Sequence, residues 1–249
     1  MITAVILDWA GTTVDHGSLA PVAAMRSVFA SVGVDITTQE IRASMGLHKK
    51  EHIRAIAAPR GLDTEALYAA FIPQQMDVLA EHSDVIAGVS KAVERMRRRG
   101  IKIGSTTGYN RAMLDYVVAH ARAQGYAPDC ALCPDDVGGG RPMPWMCYEA
   151  AVRLGAYPLW TMVKVGDTES DIAEGRNAGM WTVAVTRTGN EVGLSAREWN
   201  ALSPTAGAGL LATARNRLSA ADYLIDTVAE IDAALDEIDA RIARGEKPQ

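Results

Sequence analysis

No window of the 249-residue sequence approaches the ~20 consecutive apolar residues that a membrane-spanning helix needs, which argues against an integral membrane protein. The N-terminus has neither the charged start nor the small-residue cleavage site of a secretory signal. Positive charge is not in excess. With 25 Lys and Arg against 30 Asp and Glu, the formal net charge is −5, so there is no electrostatic footprint for nucleic acid. The run Arg97–Arg99 reads as the solvated end of a helix. Cysteine is scarce. Three cannot all pair with one another, which suits a reducing compartment, and a cytoplasmic location is the expectation. Cys130 and Cys133 form a C-x-x-C with no second Cys or His pair at zinc spacing, so they read as small hydrophobes in a half-buried strand. Internal repeats and low-complexity segments are absent too. One further absence is local. In "ILDWAGTT", residues 6–13, a greasy run ends in Asp8, but Ala10 stands where many enzymes with such a strand carry a second carboxylate.

What is present is a length and composition (48% hydrophobic, 22% charged) ample for a real core. Short apolar runs recur at 2–7, 101–104, 130–133, 162–166, 181–185 and 222–225, mostly separated by helical stretches such as 89–99, which stops at Gly100. Alternating strands and helices predict an α/β fold with a Rossmann-like, doubly wound parallel sheet. The stretch from about 17 to 85 breaks the alternation. It reads as helical throughout, over 20–32, 38–45, 49–58 and 64–82, with breaks at Pro59 and Gly61. The simplest account is an all-helical cap domain, 17–85, inserted into a catalytic core of 1–16 and 86–249 through linkers near 14–20 and 83–88. A closing amphipathic helix is expected over 227–243.

Ligands of open α/β sheets sit beyond the carboxyl ends of the strands. Four such ends supply Asp8 with Ala10 and Thr12, then Thr107-Gly108-Tyr109, then Arg141 after a glycine run, then Asp167 and Asp171. This inventory suits phosphoryl transfer to a carboxylate nucleophile, Asp8. A carboxylate approaching an anionic phosphorus centre is repelled, so a divalent cation is needed. Mg²⁺, a hard ion that prefers oxygen ligands, fits Asp8 and Asp167, with Asp171 as a further ligand or an orienting group. Thr107 with the Gly108 N–H, and Arg141 with its planar fork, are candidates for holding phosphoryl oxygens. Any one aspartate after a strand is as often a helix N-cap as a reactive group. The four ends together, in the order D…(S/T)TG…R…GDxxxD, are far harder to obtain by chance.

These motifs resemble the haloacid dehalogenase superfamily. The resemblance implies a Rossmann-like core, a cap, an aspartate nucleophile and usually Mg²⁺. Two positions depart from its general pattern: Arg141 stands where a lysine is usual, and Ala10 where an aspartate is usual. Together with "DWAGTTVDHGS", "MGLHKKEH", "GSTTGY" and "GRPMPWMCYEAA", both departures are similar to one branch, the phosphonoacetaldehyde hydrolases, over most of the chain. That branch implies phosphonoacetaldehyde as substrate and a cap lysine that forms a Schiff base with it. By motif match this is Lys49. The same resemblance carries metal binding onto Asp8, Asp167 and the Ala10 carbonyl, phosphate binding onto Thr107, Gly108 and Arg141, and site-lining roles onto Met45 and His52. Thr12, Tyr109 and Asp171 are read as supporting residues. It also implies a homodimer formed through the cap, for which the apolar side of 20–32 (Val22, Met25, Val28, Phe29, Val32) is one candidate surface, although such a stripe is more often core.

Lys49 also makes chemical sense. Cleaving a C–P bond leaves an electron pair on carbon, and an iminium accepts it as an enamine. The lysine must be neutral to attack. Burial under the cap and the nearby cations Lys50, His52 and Arg54 are expected to lower its pKa, with Glu51 opposing. The residues alone do not separate Lys49 from Lys50, but His52 at i+3 can share the face of Lys49 and relay a proton. Two other readings compete. A phosphatase or phosphomutase acting on a phosphate ester needs a proton donor for its alkoxide, and Ala10 offers none. A non-catalytic binding protein has no need to keep Asp8, Asp167, Arg141 and Lys49 together.

Overall fold

The computed structural model describes residues 1–248. The described residues form six strands: β1 (Ala4–Leu7), β2 (Lys102–Thr106), β3 (Cys130–Leu132), β4 (Met162–Gly166), β5 (Trp181–Val185) and β6 (Tyr223–Ile225). They make one sheet in the order β3-β2-β1-β4-β5-β6, and every pairing is parallel. The strands are apolar on both faces because helices cover both sides, as a parallel sheet requires. The run expected at 101–104 extends two residues further, so Ser105 and Thr106 belong to β2 rather than to the loop after it. In register, Leu7 stands beside Ser105 on one side and Val165 on the other. Strand order reverses at β1, so the loops after β1, β2 and β4 open a crevice at one end of the sheet.

Four helices follow β1 before β2 begins: α1 (Leu19–Ser31), α2 (Thr38–Ala43), α3 (Lys49–Ala57) and α4 (Thr64–His82). A capping box of Thr37 and Glu40 starts α2, and the Asp63 side chain caps α4. A 3₁₀ turn over Ala58–Arg60 and Gly61, in the left-handed region at φ 66°, separate α3 from α4. The apolar side of α1 packs against α4, and Val22, Met25, Val28 and Phe29 are buried within the chain. Only Val32 of that stripe is exposed. The face suggested for a dimer is therefore intramolecular core. The segments that enter and leave this helical stretch run side by side, with the Asp15 N–H donating to Asp84 O and the Ile86 N–H donating to Thr13 O at 2.9 Å.

The remaining helices are α5 (Val89–Arg98), α6 (Arg111–Ala123), α7 (Pro134–Val137), α8 (Trp145–Leu154), α9 (Glu169–Asn177), α10 (Ala196–Asn200), α11 (Pro204–Arg217) and α12 (Asp232–Ala243). The expected closing helix divides into a 3₁₀ turn over Val228–Glu230 and then α12. The sequence reading assigned no element to 186–221, where α10 and α11 lie. Their signals are local: a Ser195/Glu198 capping box, and Ser203 capping a helix that opens on Pro204.

Candidate active site

Asp8 leaves the sheet at the strand-order reversal, and its side chain enters a buried network of charges. Arg141 Nη2 donates to Asp8 Oδ1 at 2.6 Å, Nε donates to Glu174 Oε2 at 2.9 Å, and Nη1 lies 3.0 Å from Asp171 Oδ1. Lys164, in the middle of β4, donates to Asp171 Oδ1 at 2.8 Å and to Thr106 Oγ1 at 3.0 Å. Asp167 is held separately. Thr12 Oγ1 donates to its Oδ1 at 2.9 Å, and the Asn190 N–H donates to its Oδ2 at 2.8 Å. Asp171 also closes the capping box that starts α9, accepting from Thr168 Oγ1 at 2.6 Å.

The carboxylates divide by charge balance. Burial raises the Asp171 carboxyl, but Arg141 and Lys164 override it and hold the group below its ordinary range. Asp167 is pushed well above its ordinary value by burial and then by Asp8 and Asp171. Asp8 is raised by burial, with Arg141 opposing and Asp171 adding. Carboxylate oxygens of Asp8, Asp167 and Asp171 all lie within 4.8 Å of one another. Buried carboxylates that repel one another fit a divalent cation. The backbone is shaped for it as well, since a Cβ at Gly11 would overlap the Asp167 carboxylate. Asp171 is already committed to Lys164, Arg141 and Thr168, so Asp8, with one ion pair to Arg141, and Asp167, held by neutral donors, are the better candidates for an ion.

A small cavity of about 20 Å³ opens on Asp8 and Arg141 but not on Asp167. It has room for about one water. Its lining includes Asp8, Ala10, Met45, Lys49, Thr107, Gly108, Tyr109 and Arg141. Lys49 is the first residue of α3 and only 3% exposed. Its Nζ lies 3.9 Å from Met45 Sδ and 5.5 Å from the centroid of the Tyr109 ring. Burial drives the Lys49 amine down to about 8, with Asp8 opposing and Arg141 assisting. The cation that assists is thus Arg141, from the loop between α7 and α8. Lys50 pairs with Glu65 at 2.7 Å and Arg54 with Glu51 at 2.7 Å, both on the outer side of the helices.

His52 is fully buried but is not among the residues lining the cavity. Its Nε2 donates to the Ile41 carbonyl at 2.7 Å, which leaves Nδ1 as an acceptor without a partner. Burial and the Lys49 charge push it down to about 3, so it is neutral. Gly108 has a steric role beyond its N–H, because a Cβ there would overlap the carbonyl of Leu47 in the segment entering α3. Sequence reasoning missed Lys164 and Glu174. The available signals were a lysine inside an apolar strand, "MVKVG", and an acidic residue one turn beyond Asp171. It also missed Asn190, whose contribution is a backbone N–H and so leaves no trace in residue type.

The haloacid dehalogenase-like hydrolase family model matches residues 2–179. The chain belongs to this family. Among haloacid dehalogenase-like hydrolases it is 41% identical to the phosphonoacetaldehyde hydrolase of Nitratidesulfovibrio vulgaris, over 99% of this chain and 94% of that one. It is 43% identical to the phosphonoacetaldehyde hydrolase of Bacillus cytotoxicus, over 96% of this chain and 97% of that one. The crystal structure of a phosphonoacetaldehyde hydrolase-like protein from Oleispira antarctica superposes with a TM-score of 0.95 at 39% identity, covering 99% of this chain and 96% of that one. The haloacid dehalogenase-like core thus accounts for the sheet order and the carboxylate cluster, and the relatives at this identity are similar through the helices between β1 and β2 as well.

Proposed function

We propose that this chain hydrolyses the carbon–phosphorus bond of phosphonoacetaldehyde to acetaldehyde and phosphate, with Mg²⁺ as its ion. The observation that carries this reading is one cavity lined by both Asp8 and the buried amine of Lys49, with Ala10 where an ester phosphatase needs an acid. The relatives named above, which carry that activity in their names, support it.

Lys49 attacks the aldehyde carbon, and loss of water leaves a protonated imine. Asp8 attacks phosphorus. The P–C electron pair moves into the imine, giving an enamine on Lys49 and a phosphoryl group on Asp8. The enamine carbon takes up a proton, and water hydrolyses the imine to acetaldehyde, freeing the amine. A second water cleaves the aspartyl phosphate. When bound to Asp8, Asp167 and the Ala10 carbonyl, Mg²⁺ supplies the positive charge that lets a carboxylate approach an anionic centre. Thr107, Gly108 and Arg141 hold the phosphoryl oxygens. For Arg141 this means exchanging part of its contact with Asp8 for substrate. Met45 and Tyr109 flank the amine, His52 supports α3 beneath it with an open acceptor at Nδ1, and Thr12 and Asp171 orient the carboxylates.

Residues 17–85 serve in this reading as a cap domain over a core of 1–16 and 86–249. The enzyme works in the cytoplasm, a compartment its three unpaired cysteines favour, and as a homodimer through a surface other than the buried side of α1. Neither nucleic acid nor membrane is a partner. The decisive experiment adds substrate and borohydride. It should leave a reduced two-carbon adduct on Lys49, seen by peptide mass spectrometry, and Mg²⁺-dependent phosphate release should vanish in Asp8→Ala. Active enzyme with no adduct at Lys49 would sink the Schiff-base route.

A further inference from the structure

The cavity over Asp8 is too small for a two-carbon phosphonate, so the helices above it must move to admit substrate. What holds them down is therefore part of the reaction cycle. Contacts to the backbone of these helices do some of this, with the Lys49 N–H donating to Gly108 O at 3.2 Å and Ser170 Oγ donating to Met45 O at 3.3 Å. One side chain does far more. Arg42, in the last turn of α2, reaches across to the linker at Gly17 and to Asn190 and Gly193 of the core. Its Nη1 donates to Gly17 O at 3.1 Å, to Asn190 O at 2.9 Å and to Asn190 Oδ1 at 2.9 Å, and its Nη2 donates to Gly193 O at 3.0 Å. Asn190 returns a bond from Nδ2 to the Arg42 carbonyl at 3.3 Å.

The seat is built for a guanidinium. Gly193 sits in the left-handed region at φ 66°, and a Cβ there would overlap the Arg42 head group. Among the described residues the acceptors are carbonyl oxygens and one amide oxygen, with no carboxylate in ion-pair contact. Such a seat orients the cation by hydrogen-bond direction and binds it without the depth of a buried ion pair, which suits a contact that must break in each turnover. Its two ends matter. Arg42 lies three residues before Met45 and seven before Lys49, at the start of the segment that carries both into the cavity. Asn190, at the other end, is the residue whose backbone N–H holds Asp167.

We propose that Arg42 is a latch: seated among the carbonyls of Gly17, Asn190 and Gly193, it holds the cap closed over Asp8 and, through Asn190, ties that closure to the position of Asp167. It is a positioning residue and touches neither substrate nor metal. The inference rests on the reading of α1–α4 as a moving cap, but not on the identity of the substrate.

Hydrogen exchange on the full chain, without substrate, tests it. Loss of several charge-assisted bonds should speed exchange of the Lys49 and Asn190 amides by about tenfold or more in Arg42→Gln. Amides of β5, in the sheet interior, should keep their wild-type rate, and Arg42→Lys should fall between. Wild-type exchange at Lys49 and Asn190 in the variant overturns the latch. So does equal acceleration in β5, which would make Arg42 a brace for global stability. If Arg42→Gln does not fold, Arg42→Lys carries the same comparison. Because no substrate is used, a failed borohydride trap at Lys49 would leave this result standing, and the reverse also holds.

Discussion

Lys49 shows how much of a residue's chemistry is decided by its surroundings. An exposed lysine is almost wholly protonated at neutral pH, whereas burial beside Arg141 brings this amine down to about 8. The sign follows directly. The neutral form attacks, so kcat/KM should rise with pH through about 8 and then level. In Arg141→Lys, which keeps a positive charge but loses the planar fork, this limb should stay near its place while the rate falls. Lys49→Arg keeps charge and bulk but removes the nucleophilic amine, so turnover should fall by at least about 10³-fold with no trapped adduct. Steady-state rates across pH, with both variants, check this. The neighbours Lys50, Glu51 and Arg54 look relevant in a linear reading, but a helix turns successive residues to different faces, and these pair outward instead.

At the scale of elements, β4 is the least typical strand and the most telling. Its five residues are all buried, yet one is Lys164, which bridges Asp171 and Glu174 on α9. Strand and helix are thus joined by an ion network beneath the site as well as by apolar packing. Removing one partner from such a network leaves buried charge uncompensated. Lys164→Met should therefore cost about 3 kcal/mol of unfolding free energy, read from denaturant midpoints at constant slope. It should also move the Asp171 carboxyl upward, with Arg141 and Thr168 still holding it down. The same logic explains why Arg141 replaces the lysine expected from the superfamily pattern without loss of charge. A guanidinium reaches Asp8, Asp171 and Glu174 at once, while Lys164 supplies the ammonium from the strand below.

For the whole molecule, the carboxylate cluster should make folding stability depend on metal. Asp8 and Asp167 repel each other in the free protein, and an ion bound only by the folded state stabilises it by mass action. Saturating Mg²⁺ should raise the thermal midpoint by about 5 °C or more in this chain, and a chelator should reverse it. Asp167→Asn removes one of the repelling charges. Its metal-free midpoint should be at least that of the wild type, with the Mg²⁺ shift lost. Differential scanning calorimetry with and without the ion distinguishes this pattern from a merely structural aspartate, whose loss would lower the metal-free midpoint.

Apolar runs punctuated by glycine, capping residues and turn chemistry were enough to place the six strands, the helices of 17–85 and the strand ends bearing Asp8, Thr107, Arg141 and Asp167. These are local properties, since hydrophobic period and cap chemistry act within a few residues of chain. The absence at Ala10 was legible in the same way, and it argues for a leaving carbon over a leaving oxygen. What tertiary structure alone decided is every relation between distant segments. It set Arg141 as the cation beside Lys49, buried the apolar side of α1 against α4, moved His52 behind the cavity, and brought Arg42 and Asn190 together across 148 residues of sequence. Desolvation, charge pairing and closure depend on where chains meet in space, and residue type at a single position carries no record of its partner.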